Sequence, residues 1–175
     1  MPLPIVLYGD PILRRKADPI GEMTPEIHQL IEQMLETMVH ENGVGLAAPQ
    51  VGHSLRLFVL RDEITDESGE FCFSPPEVVI NPEFSDPSDE LQIDLEGCLS
   101  IPKIQVEVAR PLKIHVRYQN LKGESISELL EGFRARVFMH ENDHLNGRLM
   151  IDRVQSDVIR KRLAPALQKI KNRSK

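Results

Sequence analysis

The five residues His140-Glu141-Asn142-Asp143-His144 set two imidazoles four positions apart with a carboxylate beside the first. On an α-helix, positions i and i+4 share one face, so the pair can grip one divalent cation while Glu141 reaches toward the water that the cation activates. That is hydrolytic chemistry. A catalytic site of this kind normally has three protein ligands and an open position, so the third ligand decides which hydrolase the chain resembles.

The usual downstream candidates are missing. The pattern His-Glu-x-x-His-x-x-Gly-x-x-His holds as far as Gly147 and then has Met150 in place of the last histidine, and no Glu follows Glu141. The ligand is therefore expected mostly from upstream, where Cys98, His28, His40, His53, His115 and many carboxylates are available. Cys98 stands out in the segment Glu96-Gly97-Cys98-Leu99-Ser100-Ile101-Pro102. A thiolate is a strong ligand for zinc or ferrous iron, and a preceding glycine lets another backbone approach. A lone cysteine is also commonly an inert packing residue, and spacing does not choose between the two.

For the histidine pair to act, its segment must be helical. Leu130, Phe133, Val137, His140, His144 and Leu145 recur at steps of three and four, and Asn146-Gly147 supplies a left-handed stop. Thr24-Pro25 opens another helix with a cap and a first-turn proline. Ile27, Leu30, Ile31, Met34, Leu35, Met38 and Val39 form its apolar stripe, and Asn42-Gly43 ends it. Strands are expected at Leu55 to Leu60, Val78 to Ile80, Val106 to Val108 and along Leu112, Ile114, Val116 and Tyr118. Asn120 to Gly123 should turn the last of these toward a partner near Ile126. These elements predict an α+β fold, with mostly antiparallel sheets around a central metal-binding helix in a single domain.

Three segments in order, Gly43-Val44-Gly45-Leu46-Ala47-Ala48-Pro49-Gln50, Glu96-Gly97-Cys98-Leu99-Ser100 and His140-Glu141-Asn142-Asp143-His144, resemble the signature motifs of bacterial-type peptide deformylases, and the resemblance runs from about Ile5 to about Arg153. It implies a hydrolase that removes the N-formyl group from the formyl-methionine of nascent polypeptides. Cys98, His140 and His144 would hold one divalent ion, Fe2+ in the cell with Zn2+, Ni2+ or Co2+ able to replace it. Glu141 would be the general base for the attacking water, and Gln50 with the backbone N–H of Leu99 would face the oxyanion. Val44, Gly45 and Gly97 would bind the peptide backbone. Two places depart from the family pattern: Met139 stands where a Gln usually precedes the first histidine, and Lys103-Ile104-Gln105 stands where Gly-x-Arg is usual. The first puts a hydrogen bond around the metal ligands in question, and the second puts contacts near the substrate entrance in question. The rival readings are a zinc metallopeptidase of His-Glu-x-x-His type and a non-catalytic peptide- or ribosome-binding homologue. A nucleotide site at Gly43-Val44-Gly45 is excluded, because no lysine follows as a phosphate loop requires.

With 175 residues, 41% hydrophobic and 27% charged, the composition is that of a globular protein. No apolar run approaches the roughly 20 residues of a membrane span. The start, Met1-Pro2-Leu3-Pro4, lacks the features of a signal or transit peptide, and two cysteines, Cys72 and Cys98, are expected as reduced thiols. A cytoplasmic bacterial protein without membrane or DNA partners is the expectation. From Asp62 to Glu96 the chain has twelve acidic residues and no Lys or Arg, which predicts exposed loops. Residues 1–152 read as the catalytic part, and 153–175 as a basic amphipathic helix of the same domain. In that tail Ile159, Leu163, Ala166, Leu167 and Ile170 form a stripe, and the basic remainder suits ribosome contact. Pro165 is expected to kink or break this helix.

Overall fold

The computed structural model describes residues Met1–Lys175. Helix α1 (Pro25–His40) begins where Thr24 Oγ1 accepts the Ile27 N–H at 3.2 Å, and it ends where Asn42 turns left-handed (φ 55°) and the Gly43 N–H reaches back to Met38 O. The strands follow as β1 (Gly45–Ala47), β2 (Leu57–Leu60), β3 (Glu63–Thr65), β4 (Phe71–Phe73), β5 (Glu77–Ser85), β6 (Leu91–Cys98), β7 (Ile101–Pro111), β8 (Lys113–Gln119) and β9 (Ser125–Glu131). Helices α2 (Phe133–Leu145) and α3 (Asp157–Arg173) close the chain.

The segment Leu57-Phe58-Val59-Leu60 is apolar at every position because β2 is covered on both faces. Leu57 and Val59 point to α1 and pack with Leu30, Ile31, Met34 and Met38. Phe58 and Leu60 point to α2, where Phe58 meets Phe138 edge-on with ring centroids 5.1 Å apart. Strand β2 lies inside an antiparallel sheet of order β1-β2-β5-β8-β9, so α2 and α1 sandwich this sheet. The expected turn at Asn120 to Gly123 forms and sets Tyr118 opposite Ile126. An eleven-residue strand, β7, pairs with β6 as a separate ribbon, and β3 with β4 as a small hairpin. The fold is α+β, with antiparallel pairing in every sheet.

Several expectations need correction. Leu130 belongs to β9 rather than to the site helix, and Phe133 and Val39 face outward, 42% and 48% exposed. The acidic segment forms strands β3 to β6 rather than loops alone: apolar residues punctuate its carboxylates and let it pair in antiparallel ladders, and of those carboxylates Glu96 is buried. Pro165 does not break α3, which runs continuously around it. Leu163, Leu167 and Ile170 hold that helix against Val106 and Val108 of β7, although Ile159 and Ala166 of the predicted stripe remain exposed.

Candidate metal centre

A two-residue turn, Leu99-Ser100, joins β6 to β7 and brings Cys98 over the inner face of α2. The Ser100 carbonyl accepts the Tyr8 N–H at 2.8 Å, which ties the turn to the N-terminal segment. One ligand atom each from Cys98, His140 and His144 lies within 4.8 Å of the other two. Cys98 Sγ is 3.4 Å from His144 Nε2, and the two imidazole centroids are 5.3 Å apart. Of the upstream candidates only Cys98 joins the pair. His40 is on the exposed end of α1 beside Glu41, and His115 is on β8 against Ser127. Soft sulfur with two imidazoles suits zinc or ferrous iron, and His144 turns its Nε2 to the sulfur while its Nδ1 is buried with no hydrogen-bond partner. The donor set fits a single metal ion.

His140 is fixed from behind. His140 Nδ1 donates to Glu96 Oε1 at 2.7 Å, which leaves Nε2 for the metal. Glu96 is buried and also accepts from Arg110 Nε (2.5 Å) and Nη2 (2.8 Å) and from Arg136 Nη1 (2.6 Å). Arg110 Nη1 continues to Asp143 at 3.1 Å, and Asp143 accepts from Arg153 at 2.7 Å. Burial alone would raise the Glu96 pKa, but hydrogen bonds from Arg110 and His140 hold it well below the usual carboxylate range. Burial lowers His144 well below the ordinary imidazole value, with neighbouring His140 adding to it, so it is neutral and ready to ligate. For His140 burial works in the same direction, but hydrogen bonds to Cys98 and Glu96 outweigh it and raise the value.

Beside this network α2 borders a cavity of about 780 Å³ lined by Val44, Gly45, Gln50, Gly97, Cys98, Leu99, His140 and Glu141 among others. His144 is not on that lining; it is buried behind it, 1% exposed. Glu141 is 2% exposed, its Oε2 has no hydrogen-bond partner, and burial pushes its carboxyl up to about 7. Gly45 packs directly on it: a Cβ there would lie 2.8 Å from Glu141 Cδ. Gln50 is a buried, aimed amide. Its Oε1 accepts the Ala47 N–H at 2.9 Å, which turns Nε2 toward Ser100 Oγ (3.1 Å) and Cys98 Sγ (3.5 Å).

Residues 2–159 match the family model for polypeptide deformylase. The chain belongs to the polypeptide deformylase family. The peptide deformylase of Thermotoga petrophila is 46% identical over 170 residues, covering 95% of this chain and 98% of that protein. The crystal structure of the Thermotoga maritima peptide deformylase superposes with a TM-score of 0.79 at 47% identity, over 89% of this chain and 99% of that one. A Met-Ala-Ser-bound class I type b peptide deformylase from Acinetobacter baumannii gives 0.80 at 35% identity, over 88% and 99%. This deformylase is a hydrolase acting on formyl-methionyl peptides, and no helix in it is long and apolar enough to cross a membrane.

At the two departures from the family pattern the deformylase keeps the architecture by other means. Met139 is buried among the core residues around Phe138, and the first histidine donates its hydrogen bond to Glu96. Lys103 adopts a left-handed backbone (φ 66°), the conformation a glycine would take there, at a cost of about 1 kcal/mol or more. Sequence reasoning missed Glu96, Arg110, Arg136, Asp143 and Arg153 as parts of the centre. Arg110 left a signal, since it continues the period-two set Ile104, Val106, Val108 that marks the buried face of β7.

Proposed function

We propose that Cys98, His140 and His144 are the three metal ligands and that Glu141 is the general base of the deformylation. A divalent cation held there supplies Lewis acidity, lowering a water's pKa toward about 7 and polarising a carbonyl. Glu141 Oε2 takes the proton of the attacking water and returns it to the departing amine nitrogen of methionine, a task for which a carboxyl near neutrality is suited. The negative charge that develops on the formyl oxygen is met by Gln50 Nε2–H and the Leu99 backbone N–H. Val44, Gly45 and Gly97 pair with the peptide backbone and hold the formyl group at the cation. Ferrous iron is the metal in the cell, with Zn2+, Ni2+ or Co2+ as substitutes; the thiolate in the donor set supports these over magnesium or calcium. The enzyme works in the cytoplasm on chains leaving the ribosome, with the basic face of α3 making the ribosomal contact.

The observation that carries this reading is the convergence of one sulfur and two imidazoles within 4.8 Å beside a buried carboxylate oxygen that has no other partner. Formate release from formyl-Met-Ala-Ser tests it. Glu141→Gln should retain metal and lose at least about a hundredfold in kcat, because the amide cannot accept the proton. An undiminished rate would remove Glu141 from the base role, and cleavage of internal peptide bonds without formate would favour the metallopeptidase reading.

A further inference from the structure

Strand β6 alternates Leu91, Ile93 and Leu95 with Gln92, Asp94 and Glu96, and its apolar set faces solvent: the three are 57%, 69% and 53% exposed. Their partners on β7 are Pro111, Ala109 and Glu107, and Ala109 is exposed as well. The ribbon is anchored through the opposite face, where Val106 and Val108 enter the core with α3, so the strip contributes nothing to that packing. A contiguous exposed apolar strip marks a contact surface.

The outer edge of β6 is open too. The ribbon has only two strands, and Pro111 has no N–H to offer Leu91. The Leu95 N–H donates to the Asp94 carboxylate at 2.8 Å rather than across to β7. Ladder alternation then turns the peptide groups of Leu91, Ile93, Leu95 and Gly97 outward. An open edge beside apolar side chains takes extended peptide by strand addition.

Continuity identifies the occupant. Leu95 and Gly97 line the same cavity as Cys98, His140 and Glu141, and Ile93 and Leu91 lead away from it. From Gly97 to Leu91 a strand spans about 20 Å, the length of some six further peptide residues. Leu91, Ile93, Leu95 and Ala109 also fall well short of the roughly 20–30 residues a side that a stable dimer contact uses, which disfavours a second copy. We propose that β6 is an extended subsite of the deformylase, pairing antiparallel with the nascent chain and seating apolar side chains from about its fourth to seventh residues against Leu91, Ile93 and Leu95. The proposal rests on the deformylase reading and adds a preference for apolar early sequence.

The test compares formyl-Met-Ala-Ser with heptapeptides that extend it by Leu-Ser-Leu-Ser, Ser-Leu-Ser-Leu or four serines. One leucine register should exceed the all-serine peptide roughly tenfold in kcat/KM, and Leu91→Ser with Ile93→Ser should shrink that gap to about twofold or less while leaving the tripeptide rate unchanged. Equal rates on all three heptapeptides in the unaltered protein would overturn the subsite, as would a gap that survives in the double variant. A dimer in sedimentation velocity that the double variant loses would assign the strip to a second copy and overturn it as well. Absence of formate from the tripeptide itself would instead strike the deformylase reading, and this proposal with it.

Discussion

Gly45 shows how tightly the proposed base is held. An added Cβ would meet Glu141 Cγ and Cδ at 2.8 Å, so the Glu141 side chain must shift toward the cavity it lines. Gly45→Ala should therefore displace the carboxylate and lower kcat/KM at least about a hundredfold, since misplacing a catalytic group by about 1 Å costs that much. Its thermal midpoint should change little and its metal content not at all. A near-normal rate would show that Glu141 tolerates displacement. At this scale the sequence was readable where the chemistry demands rare residue types at fixed spacing: the histidine pair and Glu141 stood out at once, and Cys98 became distinctive through its glycine and the accompanying motifs. The charges behind them were not readable, because Glu, Arg and Asp are ordinarily surface residues and nothing in their local sequence announces burial. Glu96, Arg110, Asp143 and Arg153 become intelligible only when β6, β7, α2 and the turn after it are brought together.

Among the elements, α2 was legible by its period and its stop, and the stop proves to be a structural joint. Gly147 has φ 71°, and the Arg148 N–H reaches back to Asp143 O, the bond that closes a left-handed helix end. A Cβ at Gly147 would lie 2.5 Å from Arg14 O, so the glycine also seats the N-terminal segment against the end of α2. Gly147→Ala should destabilise the fold by about 2–4 kcal/mol in denaturant unfolding, combining left-handed strain with a backbone clash. A loss below about 0.5 kcal/mol would mean that this joint is soft. Strand β6 escaped notice because its alternation is inverted, with the apolar set outside; a pattern reader assigns apolar positions to a core, and the surrounding carboxylates suggested a loop. The continuity of α3 through Pro165 was illegible for a related reason, since local propensity counts against it and the contacts of Leu163, Leu167 and Ile170 on β7 restore it.

Across the whole molecule, a net charge of −6 coexists with a helix whose outer face is basic. Arg162 and Lys169 are exposed, seven positions apart on one face of α3, and neither forms an ion pair. If that face meets ribosomal RNA, Arg162→Glu with Lys169→Glu should abolish salt-sensitive co-sedimentation with ribosomes while leaving formate release from the tripeptide intact. Co-sedimentation that is unchanged, or insensitive to salt, would remove RNA contact from the account.

In the proposed centre one sulfur and two imidazoles close around a single cation. X-ray absorption at the metal edge of the zinc-loaded protein measures that shell directly. One sulfur at about 2.3 Å and two nitrogens at about 2.0–2.1 Å are expected, with the sulfur lost in Cys98→Ser. A shell without sulfur, or one identical in the serine variant, would contradict that centre.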